Sequence, residues 1–406
     1  MTMETTIAQR AVAFLGLLVL LAIAFALSEN RRKISLRIVI WGLGLQFVFA
    51  ILFLKTPIQA SLFAGMQRIV DVLTSATIEG AKFVFGNLAT DLNINAVVAF
   101  QVLPVIILVS AISAILYHLR VIQVLVHAIA WLMRRTMKTS GAETFGAALQ
   151  IFFGIESMTA LRGYLAQMTR SELCTVMTTF MANIAGSVMI IYATFGAEPG
   201  HLLTASIMSA PGAIVIAKLL VPETEEPLTS GGVEVKIPVD SHNVIDAASR
   251  GTAEGLQLAL HVGAMLISFI GIIYLLNLLF SSITGYTFID VMSILFYPMA
   301  ALFGVPKGDI APLAALLAKK TVVNEFLAYI DLQTMVSAGT ISPRGQMIAT
   351  YALCGFANPG STGVLIAGLS GLIPERRSEI CALAVKSFIG GTITCFAMAC
   401  IAGILV

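Results

Sequence analysis

The chain has 406 residues, of which 58% are hydrophobic and only 11% charged, with a mean hydropathy of +0.93. An ordinary soluble domain carries about 25% charged residues and one membrane span takes about 20 apolar residues, so both a soluble protein and a soluble domain on a single anchor are excluded. A net charge of +2 without a long basic run leaves no electrostatic footprint for nucleic acid. The composition is that of an all-α polytopic membrane protein with room for about eight crossings. Cys174, Cys354, Cys381, Cys395 and Cys400 are scattered through apolar stretches without a CxxC pair. They suggest neither a disulfide framework nor a metal site and read as small buried hydrophobes.

The first apolar stretch, Ala11 to Leu27, reads as a retained span. It lacks a basic leader and a small-residue cleavage pattern, and Arg31, Arg32 and Lys33 follow it as they follow a stop-transfer helix. That cluster is cytoplasmic by the positive-inside rule, which places the N-terminus in the periplasm; a second span, about Ile34 to Leu54, returns the chain there. From Lys55 to Asp91 the charges Arg68, Asp71, Glu79 and Lys82 interrupt the apolar sequence too often for a simple crossing, and a helix lying in the interface is expected. Asn95 to Tyr117 is a span with Pro104 inside it. Arg120, Arg134, Arg135 and Lys138 then mark a second cytoplasmic segment. The stretch from Pro222 to Arg250, rich in Glu, Gly and Pro, has no apolar periodicity and reads as a linker between two halves. Apolar segments resume at about Leu256–Leu279, Val291–Phe303, Leu313–Ile330, Gln346–Ile373 and Ala382–Val406. The expected organisation is a scaffold with the interfacial helix over residues 1–118, a first transport repeat over 119–221, the linker over 222–250, and a second repeat with the C-terminal helix over 251–406.

The two halves repeat a pattern. In the first, Glu156 lies in an apolar run and Ala182-Asn183-Ile184-Ala185-Gly186-Ser187 later interrupts a span; in the second, Glu325 is followed by Ala357-Asn358-Pro359-Gly360-Ser361. Asn-Pro-Gly-Ser cannot continue a helix, because Pro lacks a donor and clashes with the preceding turn while Gly is entropically unfavourable there. Backbone groups freed at membrane depth survive only where protein buries them or where they line a wet cavity. Broken helices in two repeated halves point to a secondary transporter built on an inverted repeat, with its site near mid-membrane. The two intramembrane carboxylates mark an ion or substrate route.

These residues resemble the concentrative nucleoside transporters. The resemblance runs through Lys320, Asn324-Glu325-Phe326-Leu327-Ala328-Tyr329, Cys354-Gly355-Phe356-Ala357-Asn358 and Ser361, and in the first half through Glu156 and Ile184-Ala185-Gly186-Ser187. It implies eight transmembrane helices, two re-entrant hairpins, an interfacial helix and a homotrimer in the cell inner membrane. It also implies that Glu325, Asn358 and Ser361, with Asn324 and Phe356 beside them, grip ribose hydroxyls, and that Glu156 and Val188 lie on the base side. A carboxylate accepting from two hydroxyls, an amide and a serine hydroxyl suit a sugar. No organic cofactor is expected, only a coupling cation.

The departures are specific. Where the family reads Gly-Gln-Thr-Glu-x-Pro, this chain reads Phe153-Gly154-Ile155-Glu156-Ser157-Met158, so Gly154 and Ile155 replace two base-reading side chains. The vacated volume suggests a wider substrate range, reaching in the alternative reading to a larger conjugate such as a nucleotide sugar. The cation site that the resemblance places at Phe152, Asn183 and Ile184 departs as well. Leu149 stands where sodium-coupled members have Asn, and Leu cannot ligate a hard cation that needs oxygen; proton coupling is therefore expected over sodium. An intramembrane enzyme is disfavoured by the lack of HExxH and GxSxG motifs, and a channel by two unequal halves where a pore needs a ring of similar groups. His118, His127, His201, His242 and His261 show no ligand spacing and read as satisfied or interfacial, and the methionines as packing. Of the adjacent Lys319 and Lys320, the second is expected to hydrogen-bond the hairpin and the first to be merely solvated.

Overall fold

The structure is a computed structural model that describes residues 6–90, 98–230 and 241–406. Its elements in chain order are α1 (Ile7–Ala26), α2 (Leu36–Lys55), α3 (Ile58–Phe85), α4 (Leu103–His118), α5 (Val121–Met137), α6 (Gly141–Leu149), the short α7 (Ser157–Ala160) and α8 (Arg162–Leu165), α9 (Arg170–Ala182), α10 (Gly186–Thr194), α11 (Pro199–Leu220), α12 (Val244–Thr284), α13 (Phe288–Ala301), α14 (Ile310–Val322), α15 (Glu325–Ser337), α16 (Pro343–Leu353), α17 (Pro359–Leu372) and α18 (Arg377–Leu405). The described residues contain no strand, and seven of their helical segments are long and apolar enough to cross a membrane. The all-helical polytopic expectation holds. Asn95, where the third span was expected to start, lies outside the described residues; a π-helical turn over Val98–Val102 leads into α4.

Two boundaries move for local reasons. The first helix begins at Ile7, ahead of the apolar run, because Thr6 and Gln9 form a reciprocal capping box. The linker ends before Arg250: α12 already starts at Val244, with Asn243 Oδ1 accepting from the Asp246 N–H at 2.9 Å. With 41 residues, α12 is about 60 Å long at 1.5 Å per residue, twice the hydrocarbon thickness. The expected buried-cysteine reading fails for Cys381, which is exposed on α18; the other four are buried.

Burial sorts the helices into two groups. The hydrophobic windows of α9–α10 and of α11 are each 89% buried inside the molecule, whereas that of α12 is only 11% buried. The broken helix α9–α10 and α11 therefore lie in the core, and α12 with α4 forms a flank whose apolar faces point outward. Those two helices approach through small residues: a Cβ built on Gly255 would lie 2.8 Å from Ser110 Cβ and 2.9 Å from Ile107 Cα, and one on Gly251 would lie 2.6 Å from Ala114 Cβ. Such small-x-x-x-small surfaces let backbones pack closely where lipid supplies no hydrophobic drive. Gly255→Ala is expected to destabilise by about 1–3 kcal/mol through overpacking. Gly271→Ala on the same helix, where a Cβ meets nothing within 4 Å, is expected to stabilise by up to about 1 kcal/mol through helix propensity. Melting of the two purified variants checks both signs.

Candidate functional site

The breaks place polar groups at the ends of short helices inside the core. Asn324 is extended (φ −168°, ψ 165°) and its Oδ1 accepts from the Leu327 N–H at 3.0 Å, so Glu325 is the first residue of α15. Asn358 repeats the device: φ −150°, ψ 163°, its Oδ1 accepting from the Ser361 N–H at 2.8 Å, with Pro359 at the first helical position of α17. Each helix start presents unpaired N–H groups and a partial positive charge, which favour a carboxylate there. Because the cap uses only its oxygen, Asn358 is free to donate through Nδ2, and it does so to Glu325 Oε2 at 2.8 Å. The other carboxylate oxygen, Oε1, accepts from the Tyr192 hydroxyl at 2.7 Å. Glu325 is 5% exposed.

The first-half break is sewn to the segment after α6. Asn183 Nδ2 donates to the Gln150 carbonyl at 2.7 Å, its Oδ1 accepts from the Ile184 N–H at 2.8 Å, and the Gly186 N–H donates to the Phe152 carbonyl at 3.0 Å. The two halves then meet directly: the Phe356 N–H donates to the Asn183 carbonyl at 3.2 Å, and the Phe356 ring sits 5.5 Å from Phe180. A Cβ on Gly355 would lie 2.5 Å from Cys395 Sγ and 2.9 Å from the Ala182 carbonyl carbon. Only glycine lets the two breaks approach this closely. Gly355→Val is expected to abolish accumulation of folded protein, read by detergent size exclusion.

Glu156 is half-buried ahead of α7, and among the described residues no side chain is placed to hydrogen-bond its carboxylate. That carboxylate covers Gly154: a Cβ built there would lie 3.1 Å from Glu156 Oε2 and 3.4 Å from Ala185 Cβ. Ile155 reaches across to α17, its Cγ1 lying 3.0 Å from where a Gly368 Cβ would stand. Val188 is buried on α10. The second-half residues Glu325, Asn358 and Ser361 thus form one bonded group with Asn324 as a helix cap. Of the first-half residues, Gly154 and Glu156 lie against each other and Ile155 against Gly368 of α17, and Leu149 is buried.

The two adjacent lysines hold different partners. Lys320, fully buried, sits on α14 and donates to the Ala352 carbonyl of α16 at 3.0 Å and lies 5.9 Å over the Phe396 ring. Lys319 is not merely solvated; it pairs with Asp331 on α15, a contact made by the fold of α14 against α15 rather than by helical spacing. Three histidines hold partners as expected: His118 with Ser241 Oγ, His127 with the Gln123 carbonyl and His201 with the Tyr351 hydroxyl. Tyr192 was not among the expected site residues. The signal was one phenol in the apolar run after Gly186-Ser187, since a buried tyrosine hydroxyl requires a partner.

Comparison with known proteins matches nearly the whole chain. Residues 15–88 match the family described as "Na+ dependent nucleoside transporter N-terminus", residues 99–199 "Nucleoside recognition" and residues 201–403 "Na+ dependent nucleoside transporter C-terminus". The chain belongs to the concentrative nucleoside transporter family. Its structure is similar to that of CNTnw in an inward-facing substrate-bound state, with a TM-score of 0.91 at 35% identity over 97% of this chain and 98% of that one. Among sequences, it is 39% identical to mouse (Mus musculus) solute carrier family 28 member 3, over 98% of this chain and 59% of that protein. It is 37% identical to a Haemophilus influenzae uncharacterized transporter over 97% of each chain. The chain therefore spans about 59% of the length of the mammalian relative and nearly all of the bacterial one. As family members these are carriers by description, which answers the enzyme alternative.

Proposed function

We propose that this family member is a symporter that imports nucleosides across the inner membrane, with Glu325, Asn358 and Ser361 gripping the ribose and Gly154, Ile155, Glu156 and Val188 facing the base. The observation that carries the reading is the buried Glu325 carboxylate at an Asn-capped helix start, held at one oxygen by Asn358 of the second capped start and at the other by Tyr192 of α10. Pre-organised acceptors at helix ends inside a membrane core are what a neutral, hydroxyl-rich solute needs. The same reading takes α6–α8 and α14–α15 as the re-entrant hairpins, residues 1–118 as scaffold, the assembly as a homotrimer and the N-terminus as periplasmic.

Uptake of labelled uridine into proteoliposomes tests the substrate class. Omitting the 2′ or 3′ hydroxyl is expected to weaken binding by about 1–3 kcal/mol, because a buried acceptor loses its partner; unchanged affinity for the deoxy compounds would remove the ribose assignment. The nucleotide-sugar alternative finds no support among the relatives. The space it relied on at Gly154 is taken up by the Glu156 carboxylate, 3.1 Å from a Cβ built there. Base discrimination is still expected to be weak, since Ile155 offers the base only apolar contact, which distinguishes by about 1–3 kcal/mol per group. Gly154→Gln with Ile155→Thr is expected to displace the Glu156 carboxylate and sharpen the ratio of uridine to purine binding.

The coupling ion is assigned as a proton. The matched family and the rat sodium/nucleoside cotransporters carry sodium in their descriptions. In this chain Leu149 supplies no oxygen, and Asn183 Oδ1 and the Phe152 carbonyl already accept from the Ile184 and Gly186 N–H groups.

A further inference from the structure

We infer that Tyr192 is a positioning residue for sugar recognition: its hydroxyl fixes the Glu325 carboxylate so that one acceptor position on each oxygen is left for a pair of neighbouring hydroxyls. The inference rests on the ribose-gripping role proposed for Glu325 and adds a residue from the opposite half of the molecule to that site.

The tyrosine is held on every side. It is 1% exposed, its ring stacks on Tyr329 with centroids 4.3 Å apart and planes 23° apart, and it meets Phe326 edge-on at 6.3 Å. Tyr329 is itself anchored, its hydroxyl donating to the Thr350 carbonyl at 2.9 Å. The Tyr192 hydroxyl consequently has one place to be, 2.7 Å from Glu325 Oε1. A bond from a hydroxyl to an ionised carboxylate is stronger than one between neutral groups. Ordering a free Glu side chain would otherwise draw on the binding free energy.

The acceptor count gives the specificity. A carboxylate offers about four lone-pair positions on two oxygens. Tyr192 takes one on Oε1 and Asn358 one on Oε2. These two side-chain bonds leave acceptor capacity on both oxygens, which a pair of vicinal hydroxyls can use. The tyrosine bond also ties α10 of the first half to α15 of the second at the point where substrate binds.

The decisive variant is Tyr192→Phe, which keeps the ring packing and deletes the hydroxyl. Dissociation constants are measured by calorimetry on purified protein for uridine and for 2′,3′-dideoxyuridine. The variant is expected to weaken uridine about 10-fold, the worth of one hydrogen bond to a charged group, and to leave dideoxyuridine within about twofold. Equal weakening of both ligands, or of neither, would mean that the hydroxyl serves packing alone, and the inference is overturned. In a Glu325→Gln background the further Tyr192→Phe change is expected to weaken uridine binding no further. If the wild-type protein does not prefer uridine to dideoxyuridine, the ribose reading of Glu325 fails first, a separate result from failure of the tyrosine. Should the phenylalanine variant not fold, 2,3-difluorotyrosine at position 192 preserves the packing while making the hydroxyl more acidic. Uridine binding must then change while dideoxyuridine binding stays constant; no change in either again refutes the inference.

Discussion

Glu325→Gln is expected to reduce uridine uptake to near background while the protein still folds. The geometry separates the two effects. Glu325 accepts at both oxygens, from Tyr192 and from Asn358, but glutamine has one carbonyl oxygen and one amide NH2. Asn358 cannot reverse its amide, because its Oδ1 caps α17 through the Ser361 N–H. The glutamine oxygen must therefore face Asn358 and its amide NH2 must face Tyr192, whose hydroxyl can turn and accept. The local network survives, and the melting temperature is expected to stay within a few degrees. What is lost is the charged acceptor for two sugar hydroxyls. At roughly 1.5–3 kcal/mol for each hydrogen bond to a charged group, the affinity should fall by about 100-fold or more at 1.4 kcal/mol per factor of ten. Glu225→Gln, in the exposed segment after α11, should be silent in the same uptake assay. Wild-type transport by Glu325→Gln would remove this residue from the site.

The features legible in the sequence were those with a steric or capping cause. Pro359 directly after Asn358 forces a helix start, and Asn324 before Glu325 repeats the cap, so both second-half helix starts leave a local trace in the residues. The first-half break at Asn183 carries no proline. It is held open by bonds to the Gln150 and Phe152 carbonyls, which connect segments some thirty residues apart and leave no local trace. Asn243 hid the start of α12 in polar sequence, because a cap lengthens a helix beyond its apolar stretch. Gly154 shows the opposite limit. Composition registers a missing side chain there, while the turn that brings the Glu156 carboxylate over the same spot is visible only in three dimensions. Tyr192 and Lys319 share this limit, since their partners Glu325 and Asp331 lie across the fold.

Replacing sodium by potassium at constant pH is expected to leave most uridine uptake intact, and collapsing the proton gradient with an uncoupler is expected to stop it. A hard cation must exchange its water for several oxygens in a fixed cage. Around the first-half break Leu149 supplies none and is buried. The Asn183 side chain is committed at both ends, its Nδ2 to the Gln150 carbonyl and its Oδ1 to the Ile184 N–H, and the Phe152 carbonyl accepts from Gly186. A sodium ion would have to compete with those bonds at a site one oxygen ligand short. A proton needs no cage, only an acceptor within the membrane core, and Glu156 and Glu325 are the carboxylates proposed for it. The prediction is checked in proteoliposomes with independently set sodium and proton gradients. A steep, saturable sodium dependence with no response to the uncoupler would show that backbone carbonyls and Asn183 suffice to hold the ion, and Leu149→Asn should then raise sodium affinity further. If the proton drives transport, Leu149→Asn is instead expected to introduce a sodium response that the wild-type protein lacks.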